Sequence, residues 1–167
     1  MKKKSPGPSY ADKANLSAVH IRYARPGDVP AMTGLLEQLF SLEKDFEPNA
    51  PRQTQGLQAL LDDRKNAILF VAEAEGRVVG MCSLLLVTST AEGGRVGWVE
   101  DVVLEPAWRG KGIGRLLMSE LESEASRRKL KRLQLLADRT NRTALAFYHR
   151  LGWDETQLIC LRRRPPS

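Results

Sequence analysis

Val102-Val103-Leu104-Glu105-Pro106-Ala107-Trp108-Arg109-Gly110-Lys111-Gly112-Ile113-Gly114 is the stretch that decides how this chain folds. A β-branched apolar run ends at an acidic residue and a proline, and a glycine-rich basic loop then opens an amphipathic helix. Such a strand–loop–helix start offers uncommitted backbone N–H groups and the positive end of a helix dipole to an anion. Glycines at 110, 112 and 114 allow close backbone approach because no Cβ intervenes. The layout is that of a phosphate-binding site. Two familiar phosphate loops fail on spacing. A P-loop needs G-x-x-x-x-G-K-[S/T], but Glu105 stands at the first glycine position and Gly112 follows Lys111. The dinucleotide fingerprint needs G-x-G-x-x-G, whereas this loop reads G-x-G-x-G.

Working outward, a second segment reads Asn141-Arg142-Thr143-Ala144-Leu145-Ala146-Phe147-Tyr148-His149-Arg150-Leu151-Gly152-Trp153. Ala144, Phe147 and Leu151 recur at helical spacing and predict a core-facing stripe. Gly152 suits a helix C-terminus that needs positive φ. The R-x-x-G-x-G pattern of Arg109, Gly112 and Gly114, followed by N-x-x-A-x-x-F-Y-x-x-x-G-W, resembles the GNAT superfamily of acetyl-CoA-dependent N-acetyltransferases. The resemblance runs over about residues 19–163 and is closest from Trp98 to Trp153.

The resemblance implies the cofactor contacts. Arg109, Gly110, Lys111, Gly112, Ile113, Gly114 and Arg115 would cradle the pyrophosphate of acetyl-CoA. Backbone groups of Val102, Val103 and Leu104 would hold its arm as an added strand would, and Asn141 would meet the pantetheine. Tyr148 would lie near the sulfur as the acid that protonates the departing thiolate. The fold it implies is mixed α/β, with a mostly antiparallel sheet of six to seven strands, splayed at the cofactor, and about four helices.

The reaction itself makes modest demands. A thioester is already activated, so the enzyme chiefly aligns an amine with it, while N–H groups near Val102 can stabilise the developing oxyanion. A lysine-like amine has a pKa of about 10.4 and arrives as a cation, so a base is needed. Glu100, two residues before Val102, is the expected base, directly or through a water. Asp101, Asp45 and Glu47 are expected to help attract the cation. Strand alternation puts Glu100 and Val102 on one face, with Asp101 opposite unless a bulge intervenes.

Composition bounds the rest. The chain has 167 residues, 42% hydrophobic and 28% charged, as a single globular domain would. The net charge of +6 comes from Lys2–Lys4 and Arg162–Arg164, so the body is balanced and nucleic acid is not an expected partner. Residues 1–17 read as a disordered basic tail, 18–164 as one domain and 165–167 as a C-terminal tail. Met1–Lys4 is followed by Ser5-Pro6-Gly7-Pro8 rather than an apolar segment, and no run reaches membrane-spanning length. A cytoplasmic location follows, with no membrane partner. Cys82 and Cys160 lie in apolar contexts that predict buried free thiols, and His20 and His149 are isolated, so no metal is expected. The resemblance also implies a homodimer, as family members often form.

Periodicity supplies the remaining elements. A strand is predicted over Val19–Ala24. Asp28 is the predicted N-cap of a helix through Met32, Leu35, Leu36 and Leu39, and a second helix spans Pro51–Asp62. Strands follow at Ala67–Ala74 and Val78–Thr88, joined by Glu75-Gly76-Arg77, and at Val96–Leu104. A helix over Gly112–Arg128 carries the stripe Ile113, Leu116, Leu117 and Leu121. A short buried strand at Leu133–Leu136 precedes the Asn141 helix, and a closing strand is predicted over Thr156–Leu161. Function reads first as transfer of acetyl to the amine of a small or medium acceptor. The alternatives are a protein lysine or N-terminal acetyltransferase, and a non-catalytic CoA-binding sensor.

Overall fold

A computed structural model describes residues 18–43 and 45–165. Residues 1–17, predicted as a tail, lie outside the described residues. The contacts group into two compact units, one ending at Gln134 and one beginning at Leu135.

In the first unit, β1 (Val19–Tyr23) leads through a 3₁₀ turn at Pro26–Asp28 into α1 (Val29–Leu42) and α2 (Ala50–Asp62). Then come β2 (Ala67–Ala74), β3 (Arg77–Ser89), β4 (Gly94–Leu104), a 3₁₀ turn at Pro106–Trp108, α3 (Ile113–Arg127) and β5 (Leu133–Leu135), whose last residue falls in the second unit. The sheet order is β1-β2-β3-β4-β5, with the first three pairings antiparallel. The start of β4 meets the lead into β5 through Lys131 N–H to the Arg95 carbonyl (2.9 Å) and Gly97 N–H to the Arg132 carbonyl (2.8 Å). Residue numbers rise together across those bonds, so these strands are parallel, as a helical crossover requires.

Local chemistry explains the joints. Glu75 and Gly76 both take positive φ, +52° and +74°, the geometry of a tight hairpin turn between β2 and β3. Asn49 caps α2, its side chain accepting from Arg52 N–H at 3.1 Å. Asp28 stands at the N-cap of α1 but does not cap it. Its carboxylate instead accepts from Arg25 N–H at 2.7 Å and from the Arg22 guanidinium at 2.8 and 2.9 Å. The stronger cationic donor therefore displaces the expected cap.

Strand alternation sorts the core into two layers. On one face of the sheet, Leu69, Val71, Met81 and Val103 pack with Met32, Leu35, Leu36 and Leu57 of α1 and α2. On the other, Phe70 and Leu84 are buried on the side of α3, which contributes Ile113, Leu117, Met118 and Leu121. Leu116, predicted within that stripe, is 37% exposed, and Met118 and Ala125 take buried places. Glu124 is buried in the same helix and accepts from Tyr23 Oη at 3.0 Å and from Arg127 and Arg128 at 2.8 and 2.6 Å. Those bonds satisfy a carboxylate that would otherwise be costly to bury.

The second unit contains α4 (Arg142–Arg150). Asn141 caps it, accepting from Ala144 N–H at 3.0 Å. Gly152, at φ +87°, closes it: Trp153 N–H bonds the Tyr148 carbonyl at 3.1 Å and Gly152 N–H that of His149 at 3.0 Å. This paired arrangement is the Schellman motif, and a left-handed residue makes it. Ala144, Phe147 and Leu151 are half-buried rather than core.

Three expectations are corrected. Thr156–Leu161 forms no strand, and Leu158, Ile159 and Leu161 are 86%, 69% and 86% exposed. An apolar run becomes a strand only where a ladder partner accepts it, and sequence pattern cannot supply the partner. The sheet accordingly has five strands among the described residues, not six or seven. Cys160, in the same segment, is exposed rather than buried. Cys82 is buried in the sheet, and desolvation, with Asp101's charge beside it, pushes its thiol up to about 12.

Candidate active site

The cradle forms where β4 ends. Gly110 and Gly112 take φ +74° and +85°, conformations costly for other residues. A Cβ added at Gly110 would meet nothing within 4 Å, so the loop opens outward. No side chain caps α3 at Gly112. Leu116 N–H is the first to bond back, to the Gly112 carbonyl at 3.2 Å. The N–H groups of Ile113, Gly114 and Arg115 therefore form the first helical turn's donor set for an anion. A pyrophosphate fits this donor set.

Side chains around the loop divide into builders and contacts. Ile113 is 1% exposed and belongs to the core, so only its backbone can serve a ligand. Arg109 Nε donates to the Leu104 carbonyl at 3.0 Å, tying the loop to the strand end. Lys111 Nζ sits 4.9 Å from the centroid of the Trp108 ring, a cation–π contact that orders the ammonium. Arg115 is exposed.

Along β4, Glu105 N–H bonds the Val79 carbonyl of β3 at 2.9 Å. By alternation, Val103 also turns its backbone toward β3, whereas Val102 and Leu104 turn theirs away. β4 has eleven residues and β5 three, so much of that edge extends beyond β5. The Val103 side chain is core.

The decisive departure is a β-bulge. Ser83 pairs with Glu100 and Met81 with Val103, so Asp101 and Val102 together stand opposite Cys82. Asp101 takes φ +54°, the left-handed region that aspartate tolerates better than most residues. Its Oδ2 accepts from Ser83 Oγ at 3.3 Å, and the same hydroxyl reaches the Glu100 carbonyl at 3.1 Å. Ser83 lies between Met81 and Leu85 on the α1–α2 face, so the bulge brings Asp101 to the face that Glu100 occupies. Glu100 is exposed there and Asp101 half-buried. Burial pushes the Asp101 carboxyl up to about 6; the Glu100 and Glu43 charges add to the rise, and the Ser83 hydrogen bond opposes it.

The predicted cation-attracting residues are only partly gathered here. Asp45 and Glu47 are exposed on the connector after α1, and Glu43 is the connector carboxylate whose charge acts on Asp101. Sequence reasoning missed Glu43 and Ser83. Glu43 was legible only as the first acid of the connector, and Ser83 carries no signal without the strand register. In the second unit, the Tyr148 ring is half-buried, 5.2 Å from Phe147 and 6.1 Å from Trp153 between centroids. Asn141 spends its carbonyl oxygen on the helix cap, and its amide NH₂ is the end left to donate.

Residues 36–153 match the family model described as Acetyltransferase (GNAT) family. The chain belongs to the GNAT acetyltransferases, a family of acyltransferases that uses acetyl-CoA. It is 38% identical over 86 residues to glucosamine 6-phosphate N-acetyltransferase of Trypanosoma brucei brucei, a match spanning 51% of this chain and 56% of that protein. Aminoglycoside N(6')-acetyltransferase type 1 of Stenotrophomonas maltophilia is 26% identical over 152 residues, 89% of this chain and 95% of that protein. The fold matches the crystal structure of a possible acetyltransferase from Clostridium difficile 630 with a TM-score of 0.80 at 21% identity, covering 90% of this chain and 99% of that one. Among the described residues no helix is long and apolar enough to cross a membrane.

Proposed function

We propose that this protein transfers the acetyl group of acetyl-CoA to the primary amine of a small or medium acceptor, by direct attack in a ternary complex. The observation that carries this reading is the uncapped start of α3 behind Gly110 and Gly112, placed at the end of a strand whose bulge presents a protected carboxyl. Relatives named for acetylating glucosamine 6-phosphate and aminoglycosides support a small amine as acceptor.

Roles follow from chemistry. N–H groups of Ile113, Gly114 and Arg115, with Arg109 and Lys111, bind the pyrophosphate. Outward-turned backbone groups of Val102 and Leu104 hold the pantetheine arm; for Asn141, the resemblance to the family is what supports a pantetheine contact. We assign the base to Asp101 in place of Glu100. A carboxylate with its pKa raised toward neutrality is the better proton acceptor, and Asp101 is the sheltered one of the two. Glu100 lies beside it as an exposed charge that attracts the cationic amine. Tyr148 donates the proton that the leaving thiolate takes up.

Initial rates of thiol release, measured over a grid of acetyl-CoA and amine concentrations, test the reading. Intersecting double-reciprocal lines and no acetylated protein in the absence of amine are expected. Parallel lines with an isolable acetyl-protein would replace direct attack by a covalent route. Activity on peptides alone would make the acceptor a protein, and acetyl-CoA binding without turnover over the amine panel would make the chain a sensor.

A further inference from the structure

Three polar side chains are buried among the described residues: Thr33, Ser83 and Glu124. Thr33 meets Thr54, and Glu124 meets Tyr23, Arg127 and Arg128, whereas Ser83 meets the bulge of β4. Ser83 lies between Met81 and Leu85 on the face that packs against α1 and α2, where an apolar side chain is the ordinary occupant. Burying a hydroxyl there costs free energy unless it is hydrogen-bonded. The ladder between β3 and β4 runs through backbone groups and has no need of that hydroxyl. Its partners show what it serves.

Ser83 Oγ lies 3.1 Å from the Glu100 carbonyl oxygen and 3.3 Å from Asp101 Oδ2. Both are acceptors when Asp101 is ionised, and a serine hydroxyl has one hydrogen to donate. The charged carboxylate has the stronger claim on that hydrogen. A neutral Asp101 changes the arrangement. With its proton on Oδ2 it donates to Ser83 Oγ, and the serine hydrogen turns to the Glu100 carbonyl. Ser83 keeps its own proton in both states and only rotates.

The surroundings make this bond consequential. Burial and the negative charges of Glu100, beside Asp101, and Glu43, after α1, all favour the neutral acid. Cys82 of β3, which the bulge faces, stays neutral because burial pushes its thiol up to about 12. The Ser83 hydrogen bond acts in the opposite direction and favours the ionised form.

We propose that Ser83 is the positioning residue of the Asp101 base: its hydroxyl bonds the Glu100 carbonyl while Asp101 is neutral and turns to Asp101 Oδ2 when Asp101 ionises, holding the form that accepts a proton. With Oδ2 so held, Oδ1 is the oxygen that takes the proton of the amine. This inference rests on Asp101 as the base of the proposed acetyl transfer and adds what keeps that base ionised.

The test follows the Asp101 carboxyl by carbon-13 NMR titration without substrates, its signal identified by loss in Asp101→Asn. The wild-type midpoint is expected at about 6. Ser83→Ala is expected to move it upward by about one pH unit, and Ser83→Thr, which keeps the hydroxyl, to stay within about 0.3 unit of the wild type. In kinetics, Ser83→Ala lowers the ionised fraction at pH 6 from about one half to about one tenth, so kcat/KM falls about five-fold there. The deficit narrows as pH rises, and Ser83→Thr restores the profile. An Asp101 midpoint that Ser83→Ala leaves in place overturns the inference whatever the rates do, as does a Ser83→Thr midpoint displaced as far as that of Ser83→Ala. A midpoint that moves while the deficit in rate is equal at every pH supports the hydroxyl switch and removes Asp101 as the base alone.

Discussion

Asp101 stands next to Glu100 in the sequence, yet the two carboxylates live in different surroundings because one residue of β4 is inserted at the bulge. The raised folded pKa has a definite sign. The neutral acid is the form that the fold favours, so stability from this site is full below about pH 4 and is lost as pH rises through about 6. Asp101→Asn is therefore expected to gain on the order of 2 kcal/mol over the wild type at pH 8 relative to pH 4, read by urea unfolding at both values. Catalysis runs the other way, because the base works ionised. The wild-type rate should climb as pH passes through about 6, and Asp101→Asn should lose that inflection together with about 10²–10⁴-fold in kcat/KM. Tyr148→Phe should lower kcat by about 10²-fold with the affinity for CoA unchanged, measured by steady-state kinetics beside calorimetry. An unchanged rate would remove Tyr148 from the mechanism. Glu100 and Asp101 were both visible as carboxylates before a strand that leads to the cradle. Which of them is sheltered was not visible, because a bulge is a property of the pairing with β3 rather than of β4 alone.

At the scale of elements, the cradle and α3 were the most legible parts, since glycine spacing, the proline and the apolar stripe agree over consecutive residues. Gly112→Asp places a side chain at φ +85° and a carboxylate where the pyrophosphate belongs. Affinity for CoA should fall by about 100-fold, measured by calorimetry, through backbone strain and charge repulsion together. Survival of that affinity would dissolve the cradle assignment. The same helix holds a feature that its sequence hid. Glu124 is a residue type usually exposed, but it falls on the stripe of Ile113, Leu117 and Leu121, where Tyr23 of β1 bonds its enclosed carboxylate. Burial raises its pKa, but hydrogen bonds from Arg128, Arg127 and Tyr23 outweigh that and hold it below the usual carboxylate range. The stabilisation is present above the ordinary glutamate range and is lost as pH falls through the lowered folded value. Glu124→Ala should cost about 2–3 kcal/mol by urea unfolding at pH 7, less for the part of the pair that solvent screens.

For the whole molecule, ligand binding and stability are linked. Acetyl-CoA at about a hundred times its dissociation constant should add about 2.7 kcal/mol. In a chain of this size that corresponds to a rise of about 5–10 °C in Tm by differential scanning fluorimetry. No shift would mean that the chain does not bind the co-substrate of its family.

The sequence by itself determined the order of elements from β1 to α4, the glycine-rich cradle and the family, because each rests on residues close together in the chain, where spacing and local backbone preference act directly. Tertiary structure alone decided the bulge that shelters Asp101, the approach of Glu43 to it and the burial of Glu124. It also decided that Thr156–Leu161 stays out of the sheet. These depend on which strands pair, and in what register, and that choice is made by partners remote in sequence.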